Sequence, residues 1–125
     1  MLSGARLLIV EEEFIIALDI QRVLEEAHAT RAVFARNYKE LAVLEPRFAE
    51  FDLAIVTPPR VDTPEATLVE RLVRSGPALV FCSATREKAA HAHLPVAEIV
   101  YKPFADDDLI IASTRALAGR KRLSS

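Results

Sequence analysis

The sequence predicts an α/β domain built on a parallel sheet with helices on both faces, and two observations carry that expectation. Five short aliphatic runs, at 5–10, 30–35, 52–56, 78–82 and 98–101, are too uniformly apolar for a sheet wetted on one side. The stretches between them have helical spacing and are long enough for the crossovers that join parallel neighbours. At 125 residues, one domain can bury roughly two thirds of its unfolded-chain surface without disulfides or metal.

Taken in order, ARLLIV reads as a buried strand. A helix follows over 13–27, in which Ile16, Ile20, Val23, Leu24 and Ala27 share a face while Asp19, Arg22, Glu25 and Glu26 face out. After the strand TRAVFA, Asn37 and Glu40 make a capping-box start for a second helix with the apolar stripe Leu41, Leu44 and Phe48. Pro46 should bend or end it. DLAIV is the third strand. Thr63 and Pro64 then supply a cap and a first-turn proline, Leu68, Val69 and Leu72 the stripe, and Gly76 with Pro77 the stop. ALVFC is the fourth strand, a short helix is expected over 85–93, and EIVY is the fifth strand. The last helix begins in the acidic run Asp106 to Asp108, which suits a helix N-terminus, and is expected to end at Gly119. The domain therefore spans 5–119, and 120–125 form a solvated basic tail.

Composition excludes several function classes. The 16 basic and 18 acidic side chains leave a net charge of -2, so there is no global field to gather nucleic acid, and no nucleic-acid partner is expected. No apolar stretch reaches about 18 residues and the N-terminus lacks a signal-peptide pattern, which predicts a cytoplasmic protein without a membrane partner. Cys82 is the only cysteine, so no intramolecular disulfide framework exists, and its place in LVFC reads as a buried core thiol. His91 and His93, two apart, do not share a helix face as metal ligands would.

In open parallel sheets, functional groups gather beyond the carboxyl ends of the strands. Here those ends carry Glu11, Glu12 and Glu13, then Thr57, Ser83, and Lys102 followed by Pro103 and Phe104. Carboxylates after the first strand would repel a phosphate, and no glycine-rich phosphate loop is present. A hydrolase using Ser83 as nucleophile and Lys102 as base is a further reading. It needs an oxyanion hole and a depressed lysine pKa, which flanking carboxylates oppose.

LLIVEEEFIIALDI at the start and YKPF at 101–104, with DLAIV and FCSAT at matching places, resemble the receiver domain of bacterial two-component response regulators. The resemblance covers the chain from Arg6 to about Gly119. It implies the flavodoxin-like (CheY-like) three-layer fold, with strand order 2-1-3-4-5. It also implies that Glu11 and Glu12 stand on the acidic pair that holds a divalent cation, Ser83 on the phosphoryl-contacting hydroxyl, and Lys102 on the phosphoryl-pairing lysine. Thr57 stands where the family has the aspartate that takes a phosphoryl group from a histidine kinase, and Ile99 where many members carry a switching aromatic residue.

The departures from the pattern agree with one another. A threonine hydroxyl near pH 7 is a poor nucleophile without a base. Pro58 and Pro59 remove amide donors after the acceptor position, and Glu12 replaces a shorter aspartate in a site sized for octahedral magnesium. The expectation is a degenerate, stand-alone receiver that is not an enzyme, needs no cofactor, binds magnesium weakly or not at all, and acts by protein contact. Its partner would be a histidine kinase, another response regulator, or a second copy meeting it through the fourth helix, fifth strand and fifth helix. Phosphorylation of Thr57 by a Ser/Thr kinase is the alternative within signalling. Lys102 is expected to form a standing, partly solvated ion pair with Glu11 or Glu12, worth about 0 to 1 kcal/mol, and Ile99 to pack in the core.

Overall fold

The aliphatic runs pair side by side, all in parallel, as a five-stranded sheet in the order β2-β1-β3-β4-β5, seen in a computed structural model that describes residues 2–84 and 98–124. The strands are β1 (Arg6–Val10), β2 (Thr30–Ala35), β3 (Leu53–Val56), β4 (Ala78–Ser83) and β5 (Glu98–Tyr101). The helices are α1 (Phe14–Glu26), α2 (Tyr38–Val43), α3 (Pro64–Arg74) and α4 (Asp106–Ser124). The short helix expected over 85–93, with His91 and His93, lies outside the described residues.

Alternation along each strand divides the core between two faces. Leu7, Ile9, Leu53, Ile55, Val80, Cys82 and Val100 pack with Ile20, Val23 and Leu24 of α1 and with Leu109 and Ala112 of α4. Leu8, Val10, Ala54, Val56, Leu79 and Phe81 pack with Leu41, Phe48 and the α3 residues Leu68, Val69 and Leu72 on the other side. Because both faces are covered, the strands read as continuous apolar runs.

Local chemistry sets the helix ends. The Asn37 side chain accepts the Glu40 N–H at 2.9 Å, and the Thr63 hydroxyl accepts the Ala66 N–H at 3.2 Å. Pro46 lacks an N–H and its ring conflicts with the carbonyl four residues back, so α2 stops at Val43 and the chain continues as a 3-10 turn over Glu45–Glu50. Gly76, with φ of 122°, turns the chain after α3.

Gly119 does not end the last helix, which continues to Ser124. Arg120, the first residue of the expected tail, lies within that helix. The Arg120 guanidinium donates to the Asp52 carbonyl at 2.8 Å and lies 3.5 Å from its carboxylate, at the amino edge of the sheet where Asp52 also accepts the Arg6 N–H at 2.9 Å. An anchored Arg120 favours continuation of α4 through a glycine that would otherwise suit a left-handed stop.

Candidate functional site

Glu11 follows β1 directly, and its N–H donates to the Ala35 carbonyl of β2 at 3.0 Å. Lys102 follows β5, and its N–H donates to the Ser83 carbonyl at the end of β4, at 2.8 Å. These extensions of the ladder bring two residues 91 positions apart together: Lys102 Nζ lies 2.6 Å from Glu11 Oε1. The other carboxylate oxygen, Oε2, accepts the Glu13 N–H at 3.1 Å. The Lys102–Pro103 peptide bond is cis.

The pair is more enclosed than the sequence suggested, the Glu11 side chain being 2% exposed and that of Lys102 17%. Lys102 follows the edge strand β5 and Glu11 follows β1, so the contact spans the ends of the two strands between them, β4 and β3. Glu12 is exposed, so the two carboxylates expected as a pair are divided, one turned inward to the lysine and the other to solvent. Among the described residues, no three His, Cys, Asp or Glu side chains gather as a metal-holding group.

Thr57 leaves β3 tied to β1. Its N–H and its hydroxyl both donate to the Val10 carbonyl, at 3.1 and 3.3 Å. Its own carbonyl accepts a hydrogen bond from the Tyr38 hydroxyl at the start of α2. Burial, with a smaller contribution from the Glu65 carboxylate, raises the Tyr38 pKa well above its ordinary value, which keeps the phenol a donor. Pro58 is half-buried and Pro59 buried just beyond. Sequence reasoning missed Tyr38, because nothing local links it to a residue 19 positions on.

Ser83 is buried at the end of β4. Burial pushes the neighbouring Cys82 thiol up to about 11, against an opposing influence from Lys102, so it is a core thiol with little thiolate near neutrality. Ile99 does not pack in the core: it is 36% exposed. Val100 takes the α1 and α4 face of β5, leaving Ile99 on the opposite face of an edge strand, beside Phe81 in register.

No family model matches the chain, and no curated protein does. Among solved structures, a response regulator receiver protein from Sinorhizobium medicae WSM419 is similar at 19% identity and a TM-score of 0.77, over 96% of this chain and 99% of that one. The chain has the receiver-domain fold. The signal receiver domain of a modulated diguanylate cyclase from Desulfovibrio desulfuricans G20 matches at 20% identity and 0.77, over 98% and 100% of the two chains. A response regulator receiver domain protein from Clostridium thermocellum matches at 20% and 0.73, over 97% and 99%. At such identities the likeness carries the fold, and within the receiver fold Glu11, Thr57, Ser83 and Lys102 lie at the carboxyl edge of the sheet.

Proposed function

We propose that this chain is a degenerate receiver of two-component signalling that acts by protein contact and does not accept a phosphoryl group. The observation that carries the reading is Thr57: the group at the carboxyl end of β3 is a hydroxyl donating to the Val10 carbonyl, not a free carboxylate. Two prolines without N–H groups follow it. Lys102, which would meet a phosphoryl group in the family, is paired with Glu11. The same pairing argues against a Ser83–Lys102 hydrolase, since the lysine amine that would have to serve as base is held by the Glu11 carboxylate at 2.6 Å. Modification of Thr57 by a Ser/Thr kinase would have to break the hydroxyl's bond to Val10.

The residues do not fit magnesium. An octahedral site wants convergent oxygen donors, whereas both Glu11 oxygens already accept hydrogen bonds, Glu12 is exposed and Thr57 brings no charge. The partner class is a protein, a histidine kinase or another response regulator, with no cofactor and no nucleic acid. Among the described residues, no helix is long and apolar enough to cross a membrane.

The test is titration with beryllofluoride and magnesium, followed by amide NMR. The expected spectrum is essentially unchanged; saturable shifts at Ser83 and Lys102 would overturn the reading.

A further inference from the structure

Strand β2 lies at one edge of the sheet and is hydrogen-bonded to β1 alone. Residues along a strand alternate in the side to which their N–H and C=O point. The Glu11 N–H takes the Ala35 carbonyl at 3.0 Å, so Val33 and Ala35 turn their backbone groups toward β1, while Ala32 and Phe34 turn theirs away from the sheet. Among the described residues, no backbone outside the β1 ladder meets Ala32 or Phe34.

This free stretch is bounded on both sides. Before it, the pairing with β1 jumps from Thr30 to Ala32, which makes Arg31 an extra residue that interrupts the ladder. After it, the Arg36 N–H, next in the outward row, is taken by Glu40 Oε1 at 2.8 Å. Exposed edges are ordinarily blunted by lysine, proline or a covering element, yet Ala32 to Ala35 carry no charge and no proline. Ala32, Val33 and Phe34 are only half-buried, whereas Leu7, Leu8 and Ile9 beside them on β1 are fully enclosed.

We propose that this window pairs antiparallel with the same window of a second copy, about a two-fold axis at Val33, joining the two sheets edge to edge. Hydrogen-bond direction selects both the occupant and the register. In an antiparallel pair, opposed residues that exchange both backbone bonds alternate with opposed residues that exchange none. With Ala32 opposite the second copy's Phe34, and Phe34 opposite its Ala32, every outward N–H and C=O of the window is met, and Val33 lies opposite its own equivalent between them. A slip that set Phe34 opposite Phe34 would call on the Arg36 N–H, which Glu40 already holds. Side-chain size agrees with the register, since small Ala32 faces large Phe34 on one side of the sheet and the two valines meet on the other. An isologous contact of this kind closes at two subunits. The inference rests on the protein-contact reading, for which it names a partner, but none of its residues is at the Thr57 position.

So short a pairing gives a weak association, read by sedimentation velocity and amide hydrogen exchange over a concentration series of the full chain. A dimer should build up with concentration. The Ala32 and Phe34 amides should exchange progressively more slowly as it does, while those of Val33 and Ala35, bonded to β1, stay protected throughout. In a mixture of isotope-labelled and unlabelled chains, Val33 should show contacts between copies. Ala32→Pro removes an outward N–H without touching the β1 ladder, and Ala32→Lys places a charge on the edge; each should abolish the dimer and leave the dispersion of the remaining spectrum intact. A monomer at every concentration, protection of Ala32 and Phe34 that does not depend on concentration, or a dimer that survives both variants would overturn the proposal. So would growth beyond a dimer, which would mean that β2 meets β5 of the next copy. A response to beryllofluoride would overturn the phosphorylation-independent reading without touching the dimer result.

Discussion

Lys102 Nζ and Glu11 Oε1 stand 2.6 Å apart with the carboxylate almost wholly enclosed, so each is the other's compensation for leaving water. Removing one partner strands the other. Lys102→Met should therefore lower unfolding stability by about 3 kcal/mol, read from urea denaturation. Adding Glu11→Gln to it should recover part of that loss, because the stranded charge goes too. A loss below about 1 kcal/mol would show that the pair behaves as a solvated one.

Thr57→Asp places a carboxylate at the end of β3, yet Pro58 and Pro59 still offer no N–H groups and Glu12 remains. A missing oxyanion donor costs on the order of 2.7 to 4 kcal/mol in acyl-transfer sites, about a hundredfold or more in rate. The single variant should label slowly or not at all with acetyl phosphate and magnesium, by intact-mass spectrometry. Combined with Glu12→Asp and replacement of both prolines, it should label measurably. Efficient labelling of Thr57→Asp alone would show that the two prolines and Glu12 do not limit the reaction.

Tyr38 donates its hydroxyl to the Thr57 carbonyl, and burial raises its pKa above the ordinary 10.0. The folded state thus holds the phenolic proton more tightly than the unfolded state. Its contribution is complete below pH 10.0 and is lost as pH rises from there through the folded value. Tyr38→Phe should cost about 1 to 2 kcal/mol near neutrality and flatten the alkaline decline in stability. An unchanged alkaline slope would show that Tyr38 does not carry it.

Helix α1 ends with the Ala29 N–H on the Leu24 carbonyl at 3.0 Å and the His28 N–H on that of Glu25 at 2.9 Å, a Schellman arrangement. His28 occupies its left-handed position, at φ of 79°. That conformation costs a side-chain-bearing residue about 1 to 2 kcal/mol, while glycine adds roughly 0.5 to 1 kcal/mol of entropy loss. His28→Gly should raise the thermal midpoint slightly, by about 0.5 kcal/mol in stability terms. A fall would show that the imidazole contributes more than its strain.

The sequence by itself determined what depends on neighbours a few residues away. The strands lie within a residue of the apolar runs, since a segment buried on both faces must be apolar at every position. Asn37, Thr63 and Pro46 act where they were expected to, because caps and proline clashes are satisfied within one turn of chain. The acidic cluster, Thr57, Ser83 and Lys102 were likewise legible as strand ends, and parallel topology places such ends at one edge.

Only the tertiary structure decided which of them touch. That Lys102 takes Glu11 and leaves Glu12 in solvent, that Tyr38 meets Thr57, and that Arg120 holds Asp52 all depend on pairs 19 to 91 positions apart. The same holds for the exposure of Ile99 at the sheet edge, for the continuation of α4 past Gly119, and for the outward apolar row Phe14, Ile15 and Leu18. Local propensity and pattern fix where an element begins and which face it buries. What a side chain meets beyond that face is set by how separate elements pack, and no short-range signal in the chain records it.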